Sequence, residues 1–360
     1  MVEHRDPGPT LAAIARAAGV SVPTASKVVN DRDGVAPETR ARVMEALDRL
    51  GYVRRRRRGV RPALVELVAD RLDSPWSGAV LRAVERAVGE VGIGLLVSSP
   101  SAVAAERGEP AWLFRYRSGR SDGVLFCLDV SAPAVHAWLE RYPALPFVLI
   151  GPGLGPPTWA VSVSATNRQG GASAAAHLLG LGHRRLAVIG GPSGSLAGRE
   201  RVIGFQSVLR EAGLPAAPVG FADFDEALAR RRTVELLSRP ERPTALFACS
   251  DRMARGAFTQ LAALGLRVPE DVSVVGFDGL PEATWPGVRL TTVRQPVSEM
   301  ATTGLEILLG LVAGDSRDIT GVEVATRLVE GDTTARPPDR TGPRAPRVGG
   351  KAMSRHRPSW

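Results

Sequence analysis

A short run near the start of the chain holds residue types suited to reading a polyanion. Ser21, Val22, Pro23, Thr24, Ser26 and Lys27 fall in a stretch that closes at Asn30. At helical spacing Val22, Pro23, Thr24, Ser26 and Lys27 face outward, while Ala25, Val28 and Val29 face inward. Hydroxyls and an ammonium on such a helix suit phosphate oxygens and base edges. Ser21 is placed to cap the helix, and Pro23 stands in its first turn, where a missing N–H costs little. The exposed backbone N–H groups and positive dipole end at that terminus also attract phosphate. Thr24 and Ser26 would equally suit a merely solvated helix, so they do not decide the matter alone. Little elsewhere suggests catalysis. Gly190-Gly-Pro-Ser-Gly follows an apolar run but lacks the Gly-Lys-Ser/Thr ending of a phosphate loop and the GxGxxG spacing. No HExxH, GxSxG or Cys/His cluster occurs, and the five histidines are scattered. No cofactor or metal is expected.

The positioning elements are legible around this run. Leu11–Ala18 carries Leu11, Ile14, Ala15 and Ala18 on one face, and Gly19 stops it. The capped helix follows over Val22–Val29, closed by Asn30. After a polar loop, Pro37 opens a third helix in which Val43, Ala46, Leu47 and Leu50 share a face, and Gly51 ends it. Helix, glycine-containing turn, helix is the form of a helix-turn-helix, whose second helix fits the major groove. From Leu64 the character changes. Strand-length apolar runs (Leu64–Val68, Gly94–Val97, Gly123–Cys127, Phe147–Ile150, Leu186–Ile189, Ala245–Ala248, Val272–Gly276) alternate with amphipathic stretches (Ala79–Val91, Gly170–Gly180, Arg199–Ala212, Arg252–Leu264). That alternation predicts parallel sheets with helices on both faces, in enough units for two doubly wound lobes.

Charge agrees with this division. The chain of 360 residues carries +9, but residues 1–62 hold +6, residues 336–360 another +6, and the body between them −3. Basic ends favour a polyanionic partner, although only Lys27 and Lys351 are lysines and arginine is abundant throughout. Cys127 and Cys249 lie far apart in apolar contexts and read as reduced core residues. No apolar run approaches the ~18 residues of a membrane span, and the opening MVEHRDPGPT lacks an export pattern, so a cytoplasmic protein is expected.

The stretch TLAAIARAAGVSVPTASKVVNDRDGVAPETRARVMEALDRLGY resembles the DNA-binding head of the lactose-repressor (LacI/GalR) family. The matching residues are Ala18, Gly19, Val20, Ser21, then Thr24, Ser26, Lys27, Val28 and Asn30, and later Thr39, Arg40, Arg42, Val43, Leu50, Gly51 and Tyr52. The resemblance implies that Val22, Pro23 and Lys27 choose bases. Val22 and Pro23 can only pack, for instance on a thymine methyl, while Lys27 can reach a guanine edge. Thr10, Ser21, Thr24, Ser26, Asn30 and Arg40 would hold the backbone. Family members follow Leu-Gly-Tyr with a hinge whose leucine wedges into the minor groove. Here Val53 leads instead into Arg54, Arg55, Arg56, Arg57, Arg58, Gly59, Val60, Arg61 and Pro62. Such a run, Arg54, Arg55 and Arg56 first, either enters a narrowed minor groove or adds non-specific affinity as a solvated linker.

The remainder resembles the family's effector core, itself similar to periplasmic sugar-binding proteins. The matching runs are Asp122–Phe126, Gly182–Pro192, Arg201–Phe205, Ala245–Asp251, Val274–Asp278 and Leu290–Pro296. The short segment between Val97 and Gly123 suggests a first lobe trimmed at that edge. Hydroxyl recognition needs fork donors, carboxylates and an aromatic face. Arg201 and Asp278 fall at the family's effector positions. Ser250, in place of a common amide, follows a strand with Asp251. Trp285 and Trp76 are candidate stacking rings, and Asn167 and Gln295 further polar contacts. The implied division is a head at 1–53, an arginine-rich hinge at 54–62, a two-lobed effector and dimerisation domain at 63–335, and a disordered basic tail at 336–360. The first lobe is expected at about 63–161 with 294–320, the second at about 162–293 with 321–335. The expected function is a homodimeric regulator, a repressor of a near-palindromic operator, whose DNA affinity a mono- or oligosaccharide changes. A sugar kinase or dehydrogenase would need a phosphate-binding loop and a base, and a sugar carrier would need an export signal and no head.

Overall fold

The computed structural model describes residues 10–29, 32–50, 52, 64–69, 72–100, 110–128, 133–151, 160–280, 284–285, 287–315 and 320–338. Asn30, Gly51, the hinge run including Arg54, Arg55 and Arg56, and residues 339–360 of the expected tail lie outside them.

Three helices form the head: α1 (Leu11–Ala18), α2 (Val22–Val29) and α3 (Pro37–Leu50). Thr10 caps α1 by accepting from the Ala13 N–H at 3.2 Å, and Gly19 ends it at φ 63°, a left-handed conformation that glycine adopts without a Cβ clash. Ile14, Ala15 and Ala18 of α1, Ala25, Val28 and Val29 of α2, and Val43, Ala46 and Leu47 of α3 close one small core with Tyr52. Leu50 departs from the expectation: it is 37% exposed. The fourteen residues of α3 outrun the eight of α1 and α2, so the last turn of α3 has little to pack on.

The first sheet has the order β13-β5-β4-β3-β1-β2 and is parallel throughout. Its strands are β1 (Leu64–Ala69), β2 (Gly94–Ser98), β3 (Val124–Cys127), β4 (Phe147–Ile150), β5 (Ser162–Ala165) and β13 (Gly321–Val324). Helices α4 (Pro75–Glu90), α5 (Ala111–Arg117) and α6 (Pro133–Arg141) connect them, and α11 (Val297–Ala313) packs on α4 and β4. Of the short segment before Gly123, α5 supplies seven residues.

The second sheet has the order β14-β12-β9-β8-β6-β7, parallel except for the antiparallel pair β12–β14. It contains β6 (Leu186–Gly190), β7 (Val219–Phe221), β8 (Ala245–Ala248), β9 (Ser273–Asp278), β12 (Thr291–Arg294) and β14 (Arg327–Val329). Helices α7 (Asn167–Gly180), α8 (Leu196–Glu211), α9 (Glu226–Leu237) and α10 (Asp251–Ala263) cover it. A two-stranded ribbon, β10 (Thr284–Trp285) with β11 (Val288–Arg289), stands apart.

Sheet membership corrects the expected lobe boundaries. Residues 162–165 and 321–324, assigned by sequence to the second lobe, are strands of the first sheet, and residue 294 belongs to the second. The chain therefore crosses between lobes at Thr166, at Gln295–Pro296 and near Thr326. Two of the crossings are tied together: Thr326 N–H donates to Thr166 Oγ1 at 2.9 Å, and Thr166 N–H donates to the Val324 carbonyl at 3.0 Å.

The second lobe brings two helices to backbone contact. A Cβ on Gly171 of α7 would run into the Arg201 carbonyl of α8, and one on Gly204 would run into the Arg168 carbonyl. We therefore expect Gly171→Ala to destabilise the chain by about 1–3 kcal/mol, the usual cost of overpacking. Gly180→Ala, at the open end of the same helix, should stabilise it by about 0.5–1 kcal/mol. Urea unfolding of the two variants checks both signs.

Candidate functional site: a head for the major groove and a cleft for a small ligand

On the head, Ser21 Oγ accepts from the Thr24 N–H at 3.2 Å and lies 2.8 Å from Thr24 Oγ1, so both hydroxyls are partly engaged at the start of α2. Val22, 44% exposed, stands outward with Pro23 and Lys27, whereas Thr24 and Ser26 are half-buried. Those three exposed side chains are the ones expected to meet bases. Thr10 is exposed and serves as the cap of α1. Arg40 is half-buried and donates from Nη2 to the Arg32 carbonyl at 2.7 Å, which fixes the loop between α2 and α3.

The cleft lies where the strands of both sheets end. It has an empty volume of about 950 Å³, and Trp76, Asn167, Arg201, Ser250, Asp251, Asp278 and Gln295 line it together. Of the expected effector residues, only Trp285 is not placed there. It belongs to the β10–β11 ribbon, and its side chain lies outside the described residues. The location follows a general rule: open parallel sheets bind ligands beyond their carboxyl ends, where helix N-termini converge. Ser74, Ser195 and Ser250 cap α4, α8 and α10 at this cleft, accepting from Ser77, Gly198 and Met253 N–H groups at 3.2–3.3 Å. Ser250 thus lines the cleft as a helix cap.

Arg201 is the centre of the second-lobe wall. Its Nε donates to Asn167 Oδ1 at 2.8 Å, and its Nη1 donates to the Cys249 carbonyl at 2.6 Å and to Asp278 Oδ1 at 3.2 Å. The guanidinium carbon stands 3.8 Å from the centroid of Phe277, within cation–π range. No protein acceptor for Nη2 is found among the described residues, which leaves a donor for a ligand oxygen. Asp278 has φ 114°, a conformation rarely adopted by L residues and often found at functional sites. Its Oδ1 also accepts from Gln295 Nε2 at 2.7 Å. Burial raises its carboxyl above the usual range, opposed by Arg201 and Gln295.

Asp251 has a different job from its neighbour. Its Oδ2 accepts from the Gly279 and Leu280 N–H groups at 2.7 and 3.2 Å, and its Oδ1 accepts from the Thr292 hydroxyl at 2.6 Å. It holds the backbone immediately after Asp278. Burial, then the charge of Asp278, raises its carboxyl well above the ordinary value.

Among the lining residues that escaped the sequence reading are Ser195, Phe224, Arg252 and Arg255. Asp223 and Phe224 adopt φ 50° and 54°, which carries the Phe224 ring to the cleft. Gly191 makes room for it, since a Cβ there would stand 2.5 Å from the ring. The Gly190-Gly-Pro-Ser-Gly run thus seats an aromatic ring, and Ser195 immediately after it caps α8. Arg252 and Arg255 line the cleft against Asp225 and Glu226, at 3.9 and 2.5 Å. The serine before α8 was the one available signal, since serine immediately before a helical run reads as a cap. Cys249 is buried, its thiol pushed up to about 12, and so is unreactive. Among the described residues no cluster of three or more His, Cys, Asp or Glu is placed to hold a metal ion.

Comparison with known proteins agrees with this architecture. Residues 10–55 match the profile of bacterial regulatory proteins of the lacI family, and residues 175–334 match a periplasmic binding protein-like domain. The HTH-type transcriptional repressor PurR of Shigella sonnei is 31% identical over 338 residues, covering 92% of this chain and 98% of that protein. Among solved structures, the transcriptional regulator CelR in complex with cellobiose has a TM-score of 0.66 at 31% identity, covering 90% of this chain and 99% of that one. A LacI transcriptional regulator from a Rhodococcus species has a TM-score of 0.67 at 27% identity over 76% of this chain and 99% of its own. The Lac repressor dimer bound to operator and anti-inducer, 24% identical with a TM-score of 0.66, shares the fold. A full-length relationship to a transcriptional repressor, joined to a helix-turn-helix head and a two-lobed ligand cleft, places this chain in the lacI family of bacterial DNA-binding transcription regulators.

Proposed function

We propose that this chain is a homodimeric repressor whose grip on a near-palindromic operator is set by a small polyhydroxylated ligand, a mono- or oligosaccharide, in the interlobe cleft. The observation that carries this reading is the Arg201–Asp278–Gln295 group facing two aromatic side chains, Trp76 and Phe224, in one cleft. A fork donor and a carboxylate suit vicinal hydroxyls, and an aromatic face suits the C–H side of a sugar ring. Rings from two walls also suit a planar heteroaromatic ligand, the one alternative that the lining favours. Val22, Pro23 and Lys27 are assigned to base edges, and Thr10, Ser21, Thr24, Ser26, Asn30 and Arg40 to the backbone. Arg54, Arg55 and Arg56 are assigned to the DNA between the head, residues 1–53, and the effector domain. The protein acts as a regulator rather than an enzyme, in the bacterial cytoplasm where the chromosome lies.

The mechanism is a linkage between two sites. The chain crosses between lobes at Thr166, Gln295–Pro296 and Thr326, and Asn167 and Gln295 stand next to two of these crossings. A ligand that touches both walls favours one interlobe angle, and that angle sets the separation of two heads in a dimer. A coupling of about 1–3 kcal/mol changes operator affinity roughly 5- to 150-fold.

Three outcomes test this reading. In a thermal-shift screen of sugars and heteroaromatic bases, at least one class should raise the melting temperature, and Asp278→Ala should abolish the response. A flat response to every compound would refute the cleft assignment. Lys27→Ala should weaken operator binding by about 1–3 kcal/mol and leave that thermal response unchanged, as read by anisotropy with labelled operator. The third outcome concerns pH. The folded chain binds the Asp251 proton more tightly than the unfolded chain, so this group's contribution to stability falls as pH rises from about 4 through the raised folded value. An amide retains an acceptor for Gly279 and Leu280 and a donor for Thr292. Urea midpoints of Asp251→Asn should therefore exceed the parent's at pH 8, with the gap closing on acidification.

A further inference from the structure

The cleft carries more positive charge than a neutral sugar requires. Among the described residues, its charged lining is Arg201, Arg252 and Arg255 against Asp251 and Asp278. Both carboxylates already serve the protein. Asp278 accepts from Arg201 and Gln295, and Asp251 accepts from Thr292 and from the Gly279 and Leu280 N–H groups. Burial and the charge of Asp278 also favour the protonated form of Asp251. Arg201 is answered by Asp278, so Arg252 and Arg255 supply the excess.

These two arginines stand near the start of α10, three residues apart and therefore on one face. The Arg252 guanidinium makes no hydrogen bond among the described residues. Its ion-pair partner Asp225 stands 3.9 Å away and is itself occupied in capping α9. Arg255 gives Nε and Nη2 to Glu226 Oε2 at 2.8 and 2.5 Å, which leaves Nη1 without an acceptor among the described residues. The Arg252 and Arg255 side chains are 29% and 46% accessible, so both pairings are weak and exchangeable. Neither Asp225 nor Glu226 is among the residues lining the cleft. Arg252 also lies in the first turn of its helix, where a cation faces the positive end of the dipole. That placement is unfavourable unless an anion joins it. Ser74 and Ser195 start α4 and α8 at the same cleft, so the N-termini of helices of 16, 16 and 13 residues meet there. Arg201, its side chain only 5% accessible, adds the Nη2 donors that no described protein group accepts.

We propose that the ligand of this cleft is a phosphorylated sugar, its phosphomonoester bound by Arg252 and Arg255 at the α10 end and its ring held by the Arg201–Asp278–Gln295 group. This rests on the sugar reading of the cleft given above and narrows it to one charge class. A phosphomonoester carries about −1.5 to −2 charge near neutral pH and three acceptor oxygens. Two guanidinium forks can share those oxygens, and the dianion replaces the separate single charges of Asp225 and Glu226. The carboxylate of a sugar acid has two oxygens and one charge, enough for one fork. Arg252 and Arg255 are thus the residues that select charge, while the buried wall selects hydroxyls.

The test uses the full chain and a panel of hexose and disaccharide phosphates, each beside its unphosphorylated parent, with hexuronic acids and inorganic phosphate at matched ionic strength. Affinities are read by thermal shift and titration calorimetry. At least one ester should bind more tightly than its parent, and each arginine replaced in R252Q and R255Q should weaken that ester roughly 10-fold or more. R252K with R255K keeps both charges without the forks and should recover part of the preference. Without ligand, R252Q should not lower the melting temperature, because it removes a cation from the positive end of α10. A fall of several degrees there would make Arg252 a structural residue and overturn the proposal. So would neutral sugars binding as tightly as their esters, a preference for the hexuronic acids, or an ester preference that survives R252Q with R255Q. Inorganic phosphate matching every ester would mark a plain anion site and overturn it too. Each of those outcomes leaves the cleft a ligand site, whereas a chain that responds to no compound loses the cleft assignment and this inference together.

Discussion

A guanidinium removed from water must have its charge and its donors answered nearby; Asp278 answers the charge of Arg201, Nε and Nη1 have protein acceptors, and Nη2 is left to the ligand. The ion pair of Arg201 with Asp278 is almost closed to solvent, the Arg201 side chain only 5% accessible, and its guanidinium carbon lies over the Phe277 ring. Removing either partner would leave a buried charge unanswered, which is far more costly than the pair is stabilising. The surroundings are built to keep this arrangement in place. Gly171 lets α7 approach the Arg201 backbone, Asn167 takes Nε, and the Cys249 carbonyl takes Nη1. Asp251 holds the two amides that follow Asp278, whose own backbone is in an uncommon conformation. The cleft is therefore preorganised, which lowers the ordering cost of ligand binding.

The same group links the ligand wall to the lobe crossings. Gln295 donates to Asp278 and is the first residue of one crossing, and Asn167 follows another. A ligand gripping Arg201 and Asp278 on one side and Trp76 on the other therefore spans the crossings. The two tied crossings, Thr166 with Thr326, resist independent movement, so the lobes have a restricted set of relative motions. This is the structural content of a two-state coupling: a few backbone segments between two rigid layers. The rigid layers themselves come from parallel strands buried on both faces and locked by side-chain packing, with Phe205 stacked on Phe247 at 5.0 Å.

Legibility differed sharply between the two ends of this mechanism. The head was readable almost residue by residue, because capping and helical periodicity act within four positions along the chain. Ser21 and Gly19 cap or stop helices where the sequence places them, and the inward faces of α1 and α2 are as expected. Leu50 was misjudged because periodicity assigns a face without knowing how long the packing partner is. In the cleft, Arg201, Asp278, Ser250 and Asp251 were located by the strands that precede or support them, but their separate tasks were not. Asp251 and Ser250 were read only as polar residues following a strand. Only the fold directs one to backbone amides and the other to a helix cap.

By itself, the sequence determined what depends on local order: the three helices of the head, the strand–helix alternation, the positive charge at both ends and the residue types available for a ligand. The tertiary structure alone decided which sheet each strand joins. It moved β5 and β13 into the first lobe and so fixed where the chain crosses between lobes. It also carried Phe224 into the cleft beside residues distant in sequence. The reason is physical. Capping and periodicity act over a few bonds and leave their mark in neighbouring residues, whereas strand pairing and side-chain convergence are chosen by the lowest free energy of the whole packed chain.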